Sequence, residues 1–139
     1  MKTLTRADVN VGDEVTPLDV PITTTSIVAG AIASRDYQDV HHDSALAKER
    51  GAKDIFMNIL TTNGLVGRFV TDWAGPEALL RVVKFRLGAP NYPGDTMRLT
   101  GKVTKVEGAD VEVEIRGANS LGDHVTGTVR LSLPAGGAA

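Results

Sequence analysis

Two side chains capable of acid–base chemistry lie close together near residue 40. His41 follows Asp36 by five positions, in the segment S-R-D-Y-Q-D-V-H-H-D that runs from 34 to 43. A carboxylate and an imidazole that converge on one water molecule can activate it, because imidazole exchanges protons near neutral pH and a carboxylate can orient the water or stabilise imidazolium. The spacing also fits a simpler interpretation, in which Asp36 caps a helix or pairs with Arg35 and His41 is a solvated loop residue.

Other reactive chemistry is limited by composition. The chain has no cysteine, which excludes disulfides, thiolate nucleophiles and thiolate metal ligands. Histidine and aspartate side chains between 36 and 43 offer an alternative, a divalent metal site. Adjacent residues of one short segment rarely converge on a single ion, so we expect no metal.

The size and charge of the chain predict one domain with no nucleic-acid surface. Its 139 residues carry a formal net charge of −2, and the 15 Lys and Arg residues are scattered. We expect a domain over 1–134 and a disordered tail over 135–139, which reads A-G-G-A-A. No run of apolar residues is long enough to span a membrane and no signal-peptide core follows the first residues, so we expect a cytoplasmic protein that binds no membrane.

The elements before the pair place it in a loop. Gly and Pro residues between 10 and 22 favour a short edge strand near 14–19 over a helix. A threonine at 23–25 can cap a helix that ends near Ser34 and Arg35, which puts Asp36 just past the helix. Residues 44–50 predict a short helix that stops at Gly51.

A long apolar helix and a set of strands follow. Apolar residues at helical spacing predict a buried helix over 58–73 with Asn58 as its cap, ended by Gly75-Pro76. From there the apolar period changes to two, which predicts antiparallel strands over 82–87, 98–104, 110–116 and 125–133. An antiparallel β-sheet wrapped around a central α-helix is an α+β architecture.

Two motifs resemble a known family. The stretch A-S-R-D-Y-Q-D-V-H-H-D resembles the D-x-N-P-(aliphatic)-H motif of MaoC-like, or R-specific, enoyl-CoA hydratases, with Asp36, Val40 and His41 matching and Gln38-Asp39 replacing Asn-Pro. P-N-Y-P-G-D-T-M, over 90–97, is similar to the P-x-x-x-G-D-T turn of that family. The resemblance implies the hot-dog fold, with Asp36 and His41 as catalytic residues.

The resemblance extends to one branch of the family, the small hydratase subunit of actinobacterial cholesterol side-chain degradation. K-D-I-F-M-N-I-L-T, V-T-D-W-A-G-P and N-S-L-G-D-H-V-T-G-T-V are similar to that branch. It implies a larger MaoC-like hydratase subunit as partner, in a heterodimer or heterotetramer, with a downstream aldolase as a further candidate partner. The implied substrate is a steroid acyl-CoA with a double bond between carbons 17 and 20. No cofactor is implied, since CoA is part of the substrate.

The resemblance also implies a donor for the thioester oxygen, usually a backbone amide at the start of the central helix. Counting from His41 without gaps places Asn58-Ile59 where relatives commonly have His-Gly, so we expect Asn58 and Ile59 to bind the thioester. Asn63-Gly64 is an alternative that requires a five-residue insertion. In the simplest interpretation Asn58 is only a helix cap.

Two other functions compete with hydration. A hot-dog acyl-CoA thioesterase has the same fold and ligand and needs a carboxylate near the helix. A non-catalytic partner subunit would complete the tunnel of another chain, and Asp36 and His41 would then be dispensable.

Overall fold

A computed structural model describes residues 2–136. The regular elements are β1 (Glu14–Pro21), α1 (Thr24–Ala33), α2 (Ser44–Glu49), α3 (Ile59–Ala74), β2 (Leu79–Leu87), β3 (Thr96–Glu107), β4 (Asp110–Asn119) and β5 (Gly122–Ser132), with 3-10 turns at Arg6–Asp8 and Asp39–His41. The division into a domain over 1–134 and a disordered tail stays a prediction, and tail residues 137–139 lie outside the described residues.

The strands form one antiparallel sheet in the order β1-β3-β4-β5-β2. Alternate residues of its central strands are buried on the face that covers α3, including Leu99, Val113 and Leu131, each 0% exposed. Phe69 and Val70 of α3 belong to the same core. The expected α+β architecture, a sheet around a central helix, is therefore confirmed.

The end of α1 determines where Asp36 lies. Thr23 caps the start of this helix by accepting a hydrogen bond from the Ser26 amide. At the other end the Arg35 amide donates to the Ile32 carbonyl and the Asp36 amide donates to the Ala31 carbonyl, while Arg35 itself has a φ of 56°. These two bonds are a Schellman motif, in which the residue before Asp36 takes the left-handed conformation. The turn reverses the chain and fixes the backbone of Asp36.

The start of α3 is the second element that forms the site. Asn58 is 2% exposed, and its side-chain oxygen accepts hydrogen bonds from the Thr61 amide and hydroxyl. The predicted cap is therefore confirmed, and Asn63-Gly64 lie within the helix rather than at its start. The helix ends at Gly75, where a φ of 92° suits glycine.

Among residues 2–136, no helix is long and apolar enough to cross a membrane.

Candidate active site

Asp36 and His41 face each other across the turn between α1 and α2. The distance from Asp36 Oδ2 to His41 Nε2 is 3.3 Å, and the side chains are 23% and 8% exposed. Asp36 reaches this position from the Schellman turn, and His41 from the 3-10 turn Asp39–His41. The two groups that the sequence singled out are thus in contact, partly shielded from water, and accessible on the Asp36 side.

The other imidazole nitrogen of His41 fixes its tautomer. His41 Nδ1 lies 2.7 Å from the Phe56 carbonyl oxygen. A carbonyl oxygen only accepts hydrogen bonds, so Nδ1 carries a proton and donates it. In the neutral ring Nε2 is then the basic nitrogen, and it faces a carboxylate oxygen that is also an acceptor. A proton taken up from a bound water is therefore shared by the pair, which acts as one acid–base unit.

Asn58 is the second partner of Asp36. Its Nδ2 donates to Asp36 Oδ2 at 3.1 Å and to Ser34 Oγ at 2.9 Å. The hydrogen bond from Asn58 lowers the pKa of Asp36 below its ordinary value; the Gln38 amide and the charge of His41 add to this, and partial burial opposes it. Asp36 is consequently ionised at neutral pH and can accept a hydrogen bond from a bound water or from imidazolium.

The predicted thioester-binding residues, Asn58 and Ile59, lie directly beside this pair. Both amide hydrogens of the Asn58 side chain are engaged by Ser34 and Asp36, so the side chain has no hydrogen left for a thioester oxygen. The Ile59 amide is at the first helical position, where no intrahelical acceptor exists. The backbone amides of Ile59 and Leu60, at the first two helical positions, therefore remain as candidate oxyanion donors, and the Ile59 side chain is 52% exposed.

The residues of the alternative metal cluster are divided among other roles. Asp39 pairs with Arg50 at 2.7 Å, and Asp43 caps α2 by accepting from the Leu46 amide. Across the described part of the chain, no group of three or more His, Cys, Asp or Glu side chains is arranged to hold a metal ion.

Sequence reasoning missed several groups that support the site. The Phe56 carbonyl that orients His41 is a backbone group with no sequence signal. Ser34 accepts a hydrogen bond from Asn58, but the sequence predicted only that a helix ends near it. Thr61 could have been found from the Asn58 to Thr61 spacing, which is typical of a capped first turn.

His124 is 2% exposed and has a structural role. Its Nδ1 donates to the Ala89 carbonyl at 2.7 Å and its Nε2 accepts from the Thr62 hydroxyl at 2.8 Å. These bonds connect β5 to α3 and to the loop after β2.

The fold and this site define a member of a known family. The family model described as MaoC like domain matches residues 7–123 of the chain. The chain belongs to the MaoC-like domain family.

Within that family, the chain is 55% identical to the 3-oxo-4,17-pregnadiene-20-carboxyl-CoA hydratase beta subunit of Mycobacterium tuberculosis (strain ATCC 25618 / H37Rv), over 109 residues that cover 78% of this chain and 84% of that protein. It is also similar to a chain of the ChsH1-ChsH2 complex from M. tuberculosis, with 51% identity, a TM-score of 0.88 and coverage of 89% and 98% of the two chains. The R-hydratase PhaJ1 from Pseudomonas aeruginosa has the same TM-score of 0.88 at 20% identity, with coverage of 96% of this chain and 88% of that one, which shows the common fold. The expected hot-dog fold is confirmed.

Proposed function

We propose that this chain is the small catalytic subunit of a heteromeric enoyl-CoA hydratase. It adds water across the 17(20) double bond of a steroid side-chain enoyl-CoA in cholesterol degradation. The observation that carries the proposal is the Asp36–His41 contact of 3.3 Å in a chain 55% identical to a hydratase subunit for such a steroid. The proposed setting is the cytoplasm.

The geometry supports a mechanism with one water molecule and one shared proton. The water lies against Asp36 Oδ2 and His41 Nε2, and Nε2 takes its proton as the oxygen bonds to the β-carbon of the enoyl group. The π electrons move onto the thioester, where the Ile59 amide and the start of α3 stabilise the oxyanion. The imidazolium, held by ionised Asp36, then returns the proton to the α-carbon on the same face. No cofactor is required beyond the CoA that the substrate carries.

The two edges of the sheet differ in a way that supports a partner at β2. Edge strand β1 carries Pro17 and Pro21 and a register irregularity between Val15 and Leu18, features that oppose pairing with another strand. Edge strand β2 contains no proline. Its exposed apolar residues are Leu79, Leu80, Val82 and Leu87, which are 56%, 42%, 42% and 38% exposed.

The neighbouring helix continues this apolar edge. Leu80 lies next to Gly67 of α3, where an added Cβ would be 3.7 Å from the leucine side chain. Ile59 and Leu60, at the start of the same helix, are 52% and 49% exposed. A larger MaoC-like subunit placed against β2 and α3 would cover this surface and complete an acyl cleft beside Ile59.

The shape of the lone chain also supports a shared cleft. Four depressions of about 560, 60, 310 and 290 Å³ lie on the described residues, and none of these four is lined by Asp36 or His41. A steroid acyl group needs an enclosed apolar site. We therefore expect the steroid site to form between the subunits.

The test is the loss of the conjugated enoyl-CoA absorbance with 3-oxo-4,17-pregnadiene-20-carboxyl-CoA. The assay compares the chain alone, the complex with the large subunit, and complexes that carry Asp36→Asn or His41→Ala. We expect activity in the wild-type complex only, with a loss of about 10²-fold or more in each variant. Full activity in either variant complex would make this chain a scaffold for a site elsewhere.

A thioesterase is the second candidate, because Asp36 is a carboxylate next to the start of the central helix. A thiol reagent added to the same assay separates the two reactions. Hydration leaves CoA on the product, whereas thioester cleavage releases free CoA at the rate of substrate loss.

A further inference from the structure

We propose that Asn58 is a positioning residue for the hydration reaction. Its carboxamide is locked by Thr61 and Ser34 and holds the Asp36 carboxylate with Oδ2 directed at His41 Nε2. The inference deepens the proposed function and rests on it. It assigns Asn58 a role in the reaction, beyond the capping of α3.

The orientation of the Asn58 amide is determined by its neighbours. The Thr61 backbone N–H can only donate, and it lies 3.0 Å from one atom of the carboxamide, which must therefore be the oxygen. The NH₂ group then points the other way, toward Ser34 and Asp36. Ser34 Oγ uses its own hydrogen on the Gly30 carbonyl at 2.6 Å, so it accepts from Asn58. The remaining amide hydrogen is directed at Asp36 Oδ2.

Capping does not explain this second half of the side chain. An N-cap needs one acceptor for the free amides of the first turn, and Ser, Thr or Asp supplies it as well as Asn does. Asn is the residue of this group that adds two donors to the acceptor. Here both donors are used, and one of them reaches the acid–base pair from 22 residues away in sequence. Asparagine at position 58 can therefore both cap α3 and donate a hydrogen bond to the Asp36 carboxylate.

The position of the contact links it to the chemistry. Oδ2 is the same carboxylate oxygen that lies 3.3 Å from His41 Nε2, so Asn58 and His41 hold one oxygen between them. The other oxygen, Oδ1, has a long contact of 3.4 Å with the Gln38 amide. Without Asn58 the carboxylate could rotate about its side-chain bonds, and it would lose the neutral donor that favours its charged form. The groups that face Asp36 are Asn58 from α3, the Gln38 amide and, as the titratable one, His41 from the 3-10 turn.

The experiment compares two substitutions at this position in the complex with the large subunit. Asn58→Asp keeps the size and the capping oxygen but places an acceptor against Asp36. Asn58→Ser keeps a capping hydroxyl that is too short to reach Asp36. Thr23→Ala is the matched control, because it removes the cap of α1 without touching Asp36. The steady-state constants are measured against pH with 3-oxo-4,17-pregnadiene-20-carboxyl-CoA and with crotonyl-CoA.

We expect kcat to fall roughly tenfold or more in both Asn58 variants, with KM changed less than kcat, since the reacting pair is misplaced while substrate binding is retained. The pKa of Asp36 rises in both variants, because its carboxylate loses a donor that favours the ionised form. Thr23→Ala keeps the wild-type kcat and pH profile. A wild-type pH profile and kcat in Asn58→Ser, or an equal loss in Thr23→Ala, would show that Asn58 acts as a cap only.

A titration of the Asp36 carboxyl carbon by ¹³C NMR, assigned with Asp36→Asn, separates this inference from the proposed function. If the wild-type complex hydrates neither substrate, the proposed function fails, whatever the titration shows. A higher Asp36 midpoint in Asn58→Ser than in the wild type would support the positioning of Asp36 by Asn58, even in that case. An unchanged midpoint overturns it, even in an active hydratase.

Discussion

A methyl group added at Gly30 would enter the space of the Thr61 side chain. Gly30 lies in α1, where it packs against the first turn of α3. An added Cβ would overlap Thr61 Oγ1 and would lie 3.0 Å from Cγ2 and 3.1 Å from Cβ of the same residue. Thr61 holds the Asn58 oxygen through both its amide and its hydroxyl. The substitution Gly30→Ala therefore presses on the network that ends at Asp36.

The magnitude follows from opposing effects. Replacing glycine by alanine inside a helix favours the folded state by about 1 kcal/mol. Overpacking at a close contact costs about 1–3 kcal/mol, and the loss of the Thr61 hydroxyl bond to Asn58 costs about 1 kcal/mol more. We expect a net destabilisation of about 2 kcal/mol. Because Thr61 displaces Asn58, activity of the complex should fall as well.

Gly64→Ala is the matched control, because an added Cβ there meets nothing within 4 Å and the helix-propensity gain acts alone. Urea unfolding of the purified chain measures both variants, and the enoyl-CoA absorbance assay measures Gly30→Ala in the complex. In a Thr61→Ala background, which removes Oγ1 and Cγ2 and leaves only Cβ at 3.1 Å, Gly30→Ala should destabilise the chain less than it does alone. A Gly30→Ala chain that gains as much stability as Gly64→Ala, with full activity, would refute the close packing of α1 on α3.

Three further predictions concern the turn, the buried histidine and the sheet edge. Arg35→Gly should raise the free energy of unfolding, measured by urea titration, by up to about 1 kcal/mol, because the φ of 56° at position 35 is less favourable for arginine than for glycine. An unchanged free energy of unfolding would contradict this reasoning. Burial lowers the pKa of His124, so at acid pH the unfolded chain takes up a proton that the folded chain excludes. The free energy of unfolding should therefore decrease as the pH falls below about 6.5, by at most about 1.4 kcal/mol per pH unit. His124→Gln should flatten that part of a stability profile, and an equally steep profile would refute the assignment. Leu80→Lys on the β2 edge should prevent assembly with the large subunit, as measured by size-exclusion chromatography. Thr16→Lys on the β1 edge is the control and should leave assembly intact. The opposite result would place the partner at β1.

Local sequence signals predicted the elements well. The cap at Asn58, the stop at Gly75 and the helix end before Asp36 were confirmed, because caps and stops depend on residues within one turn. The strand edges were less accurate: β2 begins at Leu79 rather than 82, and β5 begins at Gly122 rather than 125. Strand ends depend on pairing with a neighbouring strand, which a local pattern does not contain.

The α+β class followed from apolar periodicity, the family from the resemblance of two motifs to those of MaoC-like hydratases, and the candidate pair Asp36 and His41 from its spacing in one short segment. All three are local properties of the chain. The groups that hold that pair come together only through the packing of distant segments. The Phe56 carbonyl selects the His41 tautomer, and Asn58 reaches Asp36, because α3 packs against the end of α1. Hydrogen bonds between segments depend on distances and directions that packing creates, and residues far apart in sequence carry no signal of them until the chain has folded.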